Sequence, residues 1–263
     1  MHGNSSTPDP TQIYDHWTQE TLRYSDLDRM RHVNNVSTIS LYEDGWARFV
    51  EDGGLGATDS RDWHVDYLGI DFRKELMYRD DVRVGTRISG LDGGRVQVGQ
   101  VLLRNDTVVG VTERLLTSID RSSGAPMKTS GDILKQAETA AAGPQTDLKA
   151  PFKATQPPPD PVAVYPLWRD DIFRFADRDV EEQIGRLTQL KLIESARVSL
   201  IQDVGAPAAD PDVIWMAVHV ALNFLAWPDV RGGARTGTHV DGFGRSSCRV
   251  RQTIYSDGQA IAT

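Results

Sequence analysis

The chain has 263 residues, of which 39% are hydrophobic and 25% are charged. This composition is typical of globular proteins, and the length is enough for two domains of ordinary size. The net charge of −8 at pH 7 argues against nucleic acid as a partner, because an extended nucleic-acid surface needs a clustered excess of Lys and Arg. The single cysteine, Cys248, excludes an intrachain disulfide and a paired-cysteine zinc or redox site, so we expect neither a metal nor another cofactor.

The ten N-terminal residues are polar and contain two prolines. They lack the basic and apolar stretches of a secretion signal, and no apolar run in the chain approaches the roughly 20 residues that span a bilayer. We therefore expect a cytoplasmic protein that does not insert into a membrane.

The first predicted elements are a short strand at 17–24 and a helix at 36–50. Apolar residues recur at helical spacing in the helix, which gives it one buried stripe, and Gly53 and Gly54 end it. Four β-rich segments follow, separated by turns of Asp, Asn and Gly. These strands are predicted at 63–72, 82–89, 95–104 and 107–119. One long helix with an antiparallel sheet is an α+β arrangement.

The loop between the first strand and the helix carries the residues best suited to chemistry. It places the carboxylates of Asp26 and Asp28, the imidazole of His32 and the amides of Asn34 and Asn35 directly ahead of the helix. A helix start presents unpaired N–H groups, so a polarised carbonyl oxygen can bind there while a carboxylate acts on its carbon or on a water. The loop therefore indicates acyl chemistry, although Asn is also a residue that simply caps helices.

The second half of the chain repeats the first. The segment 174–179 matches 23–28 at an offset of 151 positions, and Glu194 falls at the same offset from Glu43. We interpret the chain as a tandem duplication. A helix is predicted at 184–201, and the strands of the second copy at 213–226, 237–247, 248–255 and 259–263, the last of them short.

Domain boundaries follow from this repeat and from composition. The first domain is predicted at 12–127, a linker at 128–163 and the second domain at 164–263. The linker contains a short Ala-rich helix at 130–142, and its later part holds Pro151 and the run 157–159, which favour an extended spacer.

The motif Arg23-Tyr24-Ser25-Asp26-Leu27-Asp28, followed by His32-Val33-Asn34-Asn35 and by Glu43 in the helix, resembles a family signature without a gap. The family is that of the hot-dog-fold thioesterases related to 4-hydroxybenzoyl-CoA thioesterase. The resemblance implies two tandem hot-dog domains, each a long helix wrapped by an antiparallel sheet. It also implies hydrolysis of an acyl thioester of coenzyme A or of acyl carrier protein, by a homo-oligomer of double hot-dog chains.

The resemblance further implies roles for individual residues. Asp28 activates water or attacks the thioester carbonyl, and the N–H groups at the helix start hold the oxyanion. His32 orients the water or donates to the leaving thiolate, and Asn34 fixes His32 or the substrate amide. Glu43 is the second candidate for the base, since a helix carboxylate has this role in some branches of the superfamily.

The substrate-binding candidates are less specific. Arg31 stands where the family usually has Gly, so either the approach geometry differs or Arg31 binds a phosphate or carboxylate of the substrate. Arg73 and Lys74 are candidates for the phosphates of the carrier. Asn35 at the helix start and two aromatic residues that could line the acyl chain, Trp46 and Trp63, complete the set.

The second copy lacks the titratable part of the motif. It carries Gln183, Gly185 and Arg186 where the first copy has His32, Asn34 and Asn35. Since Gln does not titrate near neutral pH, we expect a scaffold there. In the family, sites lie where two hot-dog units meet, which implies one competent site per chain, built on the first loop.

Two other functions remain open. A hydratase or dehydratase of the same fold would act on an enoyl thioester, but its D-x-N-P-x-H motif has a proline and an interval that are not present here. A non-catalytic acyl-thioester-binding protein is compatible with the degenerate second copy and with Arg31.

Overall fold

The computed structural model describes residues 9–56, 60–144, 155–179, 183–204 and 215–263. Contacts divide the chain into two compact units. Unit 1 comprises residues 1–152 and 217–221, and unit 2 comprises residues 153–216 and 222–263. The linker residues 145–154, with Pro151, lie outside the described residues, as do positions 213 and 214 of a predicted strand.

Unit 1 is a long helix packed on an antiparallel sheet. The sheet order is β1-β3-β4-β5-β2-β7, and the long helix α2 contacts β3 and β1. The elements are α1 (Pro10–Ile13), β1 (His16–Glu20), a 3-10 turn (Tyr24–Asp26), α2 (Asn35–Glu51), β2 (Arg61–Phe72), β3 (Val82–Asp92), β4 (Arg95–Arg104), β5 (Thr107–Asp120), α3 (Gly131–Ala141) and residues 219–221 of β7 (His219–Asn223).

One face of α2 forms the centre of this core. Its buried residues recur three and four positions apart, as expected for a helix that covers a sheet with one face: Thr38, Ile39, Leu41, Tyr42, Gly45, Trp46 and Phe49. Gly45 lies where the helix comes closest to the sheet, because a Cβ there would lie 2.7 Å from Cγ1 of Val84. The helix ends at Asp52, and Gly53 follows with a φ of 87°, which favours glycine.

Unit 2 repeats the helix-on-sheet arrangement with fewer strands. Its sheet order is β10-β9-β8-β6, and α5 packs against β8, β9 and β6. The elements are α4 (Pro161–Val164), β6 (Leu167–Ile172), a 3-10 turn (Phe175–Asp177), α5 (Arg186–Val204), β8 (Gly233–Phe243), β9 (Cys248–Ser256) and β10 (Gln259–Ala262).

Several element boundaries differ from the sequence-based expectation. The strand expected at 17–24 ends at Glu20, because Tyr24–Asp26 forms a 3-10 turn in which Asp26 Oδ2 accepts from the Arg23 N–H at 2.7 Å. The strand expected at 237–247 occupies Gly233–Phe243 instead. In the part of 213–226 that the structure describes, only His219–Asn223 is a strand.

The helix predicted within the linker packs on unit 1. It spans Gly131–Ala141, and its buried residues Ile133 and Ala137 belong to the face next to β3. The contact division falls between residues 152 and 153, whereas the sequence alone suggests a linker from 128. Among the described residues, no helix is long and apolar enough to cross a membrane.

Candidate functional site

The loop from Asp26 to Asn34, called here the His32 loop, is tied to the start of α2 by Asn34. The Asn34 N–H and Nδ2 both donate to the carbonyl oxygen of Asp26, at 2.9 and 3.0 Å. Asn34 Oδ1 accepts from the Ser37 N–H at 2.8 Å and so caps the helix. The Thr38 N–H donates to the Asn34 carbonyl. Asn34 is therefore a capping residue whose donors and acceptors hold the loop on the helix.

The same contacts show which N–H groups at the start of the helix are already used as donors. The N–H groups of Asn34, Ser37 and Thr38 are used inside the loop and the first turn. The N–H groups of Asn35 and Val36 have no acceptor within the described residues, as expected for the first positions of a helix. Asn35 is half-buried, and N–H groups at a helix start are suited to bind an anion.

Asp28 is exposed and bonded to its own loop. Its Oδ1 accepts from the N–H groups of Met30 and His32, at 2.8 and 3.0 Å. The Asp28 N–H donates to the carbonyl of His32 at 2.8 Å, which closes the loop. One carboxylate oxygen of Asp28 thus stabilises the turn that carries His32.

Unit 2 has two of the same backbone contacts at the corresponding positions, without the imidazole. Asp179 Oδ1 accepts from the Gln183 N–H at 3.0 Å, and the Asp179 N–H donates to the Gln183 carbonyl at 2.8 Å. The aspartate is therefore kept in a loop that has no His, and turn formation alone is a sufficient reason for it. Asp28 has this structural role whatever else it does.

His32 lies beside a carboxylate that sequence reasoning did not single out. His32 Nε2 is 3.5 Å from Glu75 Oε2, and their side chains are 24% and 43% exposed. The backbone brings them together, since Val33 donates to the carbonyl of Leu76 at 2.9 Å and His32 pairs with Met77. In the sequence, Glu75 directly follows the candidate residues Arg73 and Lys74. Its contact with His32, however, depends on how the segment after β2 folds back.

Three cationic candidates lie on or beside this loop. Arg31, Arg73 and Lys74 are all exposed. Arg31 has a φ of 65°, the left-handed region that favours glycine. The backbone therefore keeps the conformation that a glycine would give, and an exposed guanidinium is added next to His32. Arg73 and Lys74 precede Glu75, and both backbone N–H groups donate to the carbonyl of Val109.

Exposed apolar side chains border the same loop. Tyr24 is 78% exposed and packs edge-on against Tyr78, with 6.1 Å between ring centroids. Met30 and Met77 are also exposed. Sequence reasoning missed this set because an isolated surface Tyr or Met carries no pattern of its own.

Glu43 lies elsewhere, on the buried side of α2. It is eight residues after the helix start, about 12 Å along the axis at 1.5 Å per residue. Its Oε1 is 2.6 Å from the Nη1 of Arg114, whose side chain is fully buried and lies over the Trp46 ring. The Arg114 Nε donates to Gln100 Oε1 at 3.2 Å. Glu43 therefore belongs to a polar network inside unit 1, and the structure does not group it with His32.

A similar set of glutamine hydrogen bonds is present within each unit. Gln100 Nε2 donates to the Tyr42 carbonyl at 2.9 Å and to Thr86 at 3.1 Å. In unit 2, Gln252 Nε2 makes the corresponding bonds, to the Ile193 carbonyl at 3.0 Å and to Thr238 at 3.2 Å. A glutamine that ties the long helix to the sheet is thus present in both copies.

The cation beside the helix carboxylate differs between the copies. Glu194 pairs with Arg197 of its own helix, at 3.5 Å. Burial raises the pKa of Glu194 above its usual value, although the Arg197 charge opposes the shift. Burial also lowers the pKa of the Arg197 guanidinium. The carboxylate is thus present in both copies, while its partner comes from β5 in unit 1 and from the helix itself in unit 2.

The two tryptophans of the predicted site are buried. Trp46 is 7% exposed and Trp63 is 6% exposed. Trp46 packs between Phe49, at 6.3 Å between ring centroids, and Arg114. Among the described residues, no group of three or more His, Cys, Asp or Glu side chains is placed to hold a metal ion.

Comparisons with known proteins show the family and the fold of this chain. The sequence profile of the thioesterase-like superfamily matches residues 22–160, a range that includes the His32 loop, α2 and Arg114. No protein of curated function gives a significant sequence match.

The fold is similar to that of solved thioesterases of low sequence identity. A protein from Lactobacillus plantarum described as an oleoyl thioesterase has 13% identity and a TM-score of 0.71, covering 94% of this chain and 92% of its own. The 12:0-ACP thioesterase from Umbellularia californica has 11% identity and a TM-score of 0.71, with 94% and 90% covered. An acyl-ACP thioesterase from Bacteroides thetaiotaomicron has 10% identity and a TM-score of 0.69, with 96% of both chains covered. The expected hot-dog fold is confirmed.

Proposed function

Since the chain belongs to the thioesterase-like superfamily, we propose that it hydrolyses acyl thioesters of coenzyme A or of an acyl carrier protein at the His32 loop. The observation that carries this proposal is the His32 loop itself, in which an imidazole, a neighbouring carboxylate and two available helix-start amides lie within one short segment. The similarity to two proteins named as acyl-ACP thioesterases supports the substrate class.

The amides of Asn35 and Val36 hold the oxyanion. The carbonyl oxygen of the thioester becomes negative as water adds, and two N–H groups at a helix tip stabilise that charge. One such donor is worth about 2.7–4 kcal/mol in a dry site. These amides are suited to the role because Asn34 caps the neighbouring positions.

Asp28 is the base that takes a proton from the attacking water. Its Oδ1 is used by the loop, so Oδ2 is the oxygen that acts. The water oxygen bonds to the carbonyl carbon, the C–S bond then breaks, and the thiolate takes a proton from His32. Glu75 orients the imidazole for this transfer. A positioned acid or base contributes about 10²–10⁴-fold.

The cations and exposed apolar residues next to the loop bind the carrier. Arg31, Arg73 and Lys74 are exposed and suit the phosphates that coenzyme A and acyl carrier protein both present. Tyr24 and Tyr78 offer apolar surface for the pantetheine arm. We also propose that the chain self-associates, which light scattering of the purified protein tests directly.

The duplication supplies a matched control for the test of Asp28. Asp28→Asn and Asp179→Asn are the same change at corresponding positions of the two loops, and Asn retains an oxygen that accepts a loop N–H group. We expect Asp28→Asn to lower kcat for thiol release from a panel of acyl-CoAs and acyl carrier proteins by about 10²–10⁴-fold, with Asp179→Asn close to wild type.

A non-catalytic acyl-thioester-binding protein is the second candidate. It is favoured by one observation, namely that Asp28 makes the same loop contacts as Asp179, which has no His beside it. Equal turnover in Asp28→Asn and wild type would show that Asp28 is structural. Absence of thiol release across chain lengths and both carriers, with binding retained, would establish the binding protein. Loss of enoyl absorbance from crotonyl-CoA would indicate a hydratase.

A further inference from the structure

Unit 1 contains a cleft at the C-terminal end of α2, remote from the His32 loop. The cleft has a volume of about 1230 Å³ and is bordered by the C-terminal end of α2, the start of β2, the middle of β3 and one side of α3. The helix α2 is 17 residues long, so at 1.5 Å per residue the cleft lies about 24 Å along the axis from the helix start. It is not part of the site described above.

Two arginines line the cleft. Arg87 is 6% exposed and lies over the Tyr14 ring, and one of its terminal nitrogens donates to the carbonyl of Pro144. Arg61 donates to the carbonyl of Lys128 at 3.3 Å. In both side chains the Nε is buried and has no hydrogen-bond partner among the described residues. No described carboxylate is within ion-pair distance of either guanidinium.

Arg87 is buried with no described carboxylate in ion-pair contact, and the nearby charge of Glu113 offsets only part of the cost of taking the guanidinium out of water. Arg residues in proteins commonly pair with carboxylate or phosphate groups, which match the fork of the guanidinium. The buried Arg87 and the half-buried Arg61 line the same cleft, and together they favour an anionic ligand.

The N-terminal end of α3 adds to the positive potential. The cleft includes Ser130, Asp132 and Ile133 from this end and Lys135 from the next turn. Ser130 is at the N-cap position, but its side chain makes no capping hydrogen bond. The first-turn amides of an 11-residue helix are thus available to an anion.

The acidic residues of the cleft are weaker competitors. Asp15, Asp52 and Asp132 are exposed, and Asp52 is paired with His16 at 2.8 Å. Exposed carboxylates are well screened by water, whereas Arg87 is buried. The buried charge in the lining is that of Arg87, and the exposed lining residues carry both signs of charge.

Apolar side chains supply the remaining wall. Phe49, Ile88, Met127 and Ile133 all line the cleft. A ligand that satisfies both parts has an anionic group for the arginines and an apolar body for these side chains. We propose that this cleft is a second binding site, for an amphipathic anion whose head is a carboxylate or a phosphate.

The experiment is calorimetric titration of the full chain with two probes of this chemistry. Sodium laurate below its micellar concentration represents a fatty carboxylate, and adenosine 3′,5′-bisphosphate represents a phosphate with an aromatic body. We expect saturable binding of one of them that Arg61→Gln weakens by about 10-fold or more, since a charge-assisted hydrogen bond is worth about 1.5–3 kcal/mol. Lys135→Gln, on an exposed residue, is the variant that leaves folding intact and weakens binding less.

Two controls separate this site from the proposed substrate site. Arg95→Gln removes the same charge from the β3–β4 turn, outside the cleft, and is expected to bind like wild type. Arg31→Gln changes the substrate side and is expected to leave cleft binding unchanged. The proposal is overturned if neither probe binds at millimolar concentration, or if Arg61→Gln and Arg95→Gln bind equally. Loss of binding only in Arg31→Gln would assign the signal to the His32 loop.

Discussion

The Nδ1 of His219 lies 2.6 Å from the Oδ1 of Asp71, and the side chain of Asp71 is fully buried. His219 is only 23% exposed, and its Nε2 is buried with no partner among the described residues. The Phe72 N–H donates to the Val218 carbonyl at 3.1 Å, so backbone and side chains together hold residues 217–221 against the end of β2 within unit 1.

We expect His219→Gln to destabilise unit 1 by about 2–3 kcal/mol, because the variant loses the short hydrogen bond between the imidazole and a buried carboxylate. Urea unfolding measures this. His16→Gln is the matched control, because His16 pairs with Asp52 at a similar distance, 2.8 Å, but Asp52 is 69% exposed. It should change stability by less than about 0.5 kcal/mol. Equal effects of the two variants would contradict a structural role for the buried pair.

A second prediction concerns Glu43. Because its carboxylate lies 2.6 Å from the fully buried Arg114, Glu43→Gln should lower the free energy of unfolding by about 2–4 kcal/mol. At a temperature where the variant remains folded, kcat for thioester hydrolysis should stay within about 10-fold of wild type, whereas a lost general base would cost up to about 10⁴-fold. Loss of turnover in a stable Glu43→Gln protein would make Glu43 the base.

For Arg31 we expect a substitution that stabilises the protein. Its φ of 65° costs a side-chain-bearing residue about 1–2 kcal/mol, part of which is offset by the greater freedom of glycine in the unfolded chain. Arg31→Gly should therefore stabilise the protein by about 0.5–1 kcal/mol. If Arg31 also binds a phosphate of the carrier, the same variant raises KM. Arg31→Ala, which retains the strain and loses the charge, separates these effects, since it should raise KM without stabilising the fold.

Glu20 predicts a dependence of stability on pH. Burial and the nearby Asp44 charge raise its pKa to about 7, with Arg48 and Arg23 opposing, and its Oε1 has no hydrogen-bond partner among the described residues. The folded state therefore binds this proton more tightly than the unfolded state, in which the pKa of the carboxyl is near 4.5. Stability from this group is present below pH 4.5 and is lost as the pH rises through 7.

Glu20→Gln removes the loss of stability that ionisation of Glu20 causes as the pH rises. Relative to wild type, the variant should gain stability between pH 5 and 8, by about 1 kcal/mol after allowance for the partial exposure of the group. Asp44→Asn should give part of the same gain, since the Asp44 charge is one cause of the shift. Parallel stability curves for wild type and Glu20→Gln across this range would show that Glu20 is not perturbed.

Local features of the first unit could be predicted from the sequence because short-range contacts decide them. The predicted helix at 36–50 is observed at Asn35–Glu51, since apolar spacing and the Asn34 cap are both encoded within a few residues. The strands at 95–104 and 107–120 follow from β-rich segments around a two-residue turn at Asn105 and Asp106, both of which have positive φ.

The roles of the site residues depended on contacts that the sequence does not display. Asp28 was predicted as a base from its motif, but the bonds of its Oδ1 to the loop amides are visible only in three dimensions. Glu43 was predicted as an alternative base, and the strand that carries Arg114, 71 positions away, determines that it is an ion-paired residue of the core.

The sequence by itself determined the α+β class, the duplicated loop motif and the helix start that presents its amides, because each of these arises from residues that are neighbours in the chain. Only the tertiary structure decided that His32 meets Glu75, that Arg114 pairs with Glu43 and that Asp71 meets His219 across 148 positions. Strand register and the packing of helix on sheet bring those side chains together, and both are properties of the whole fold rather than of any local pattern.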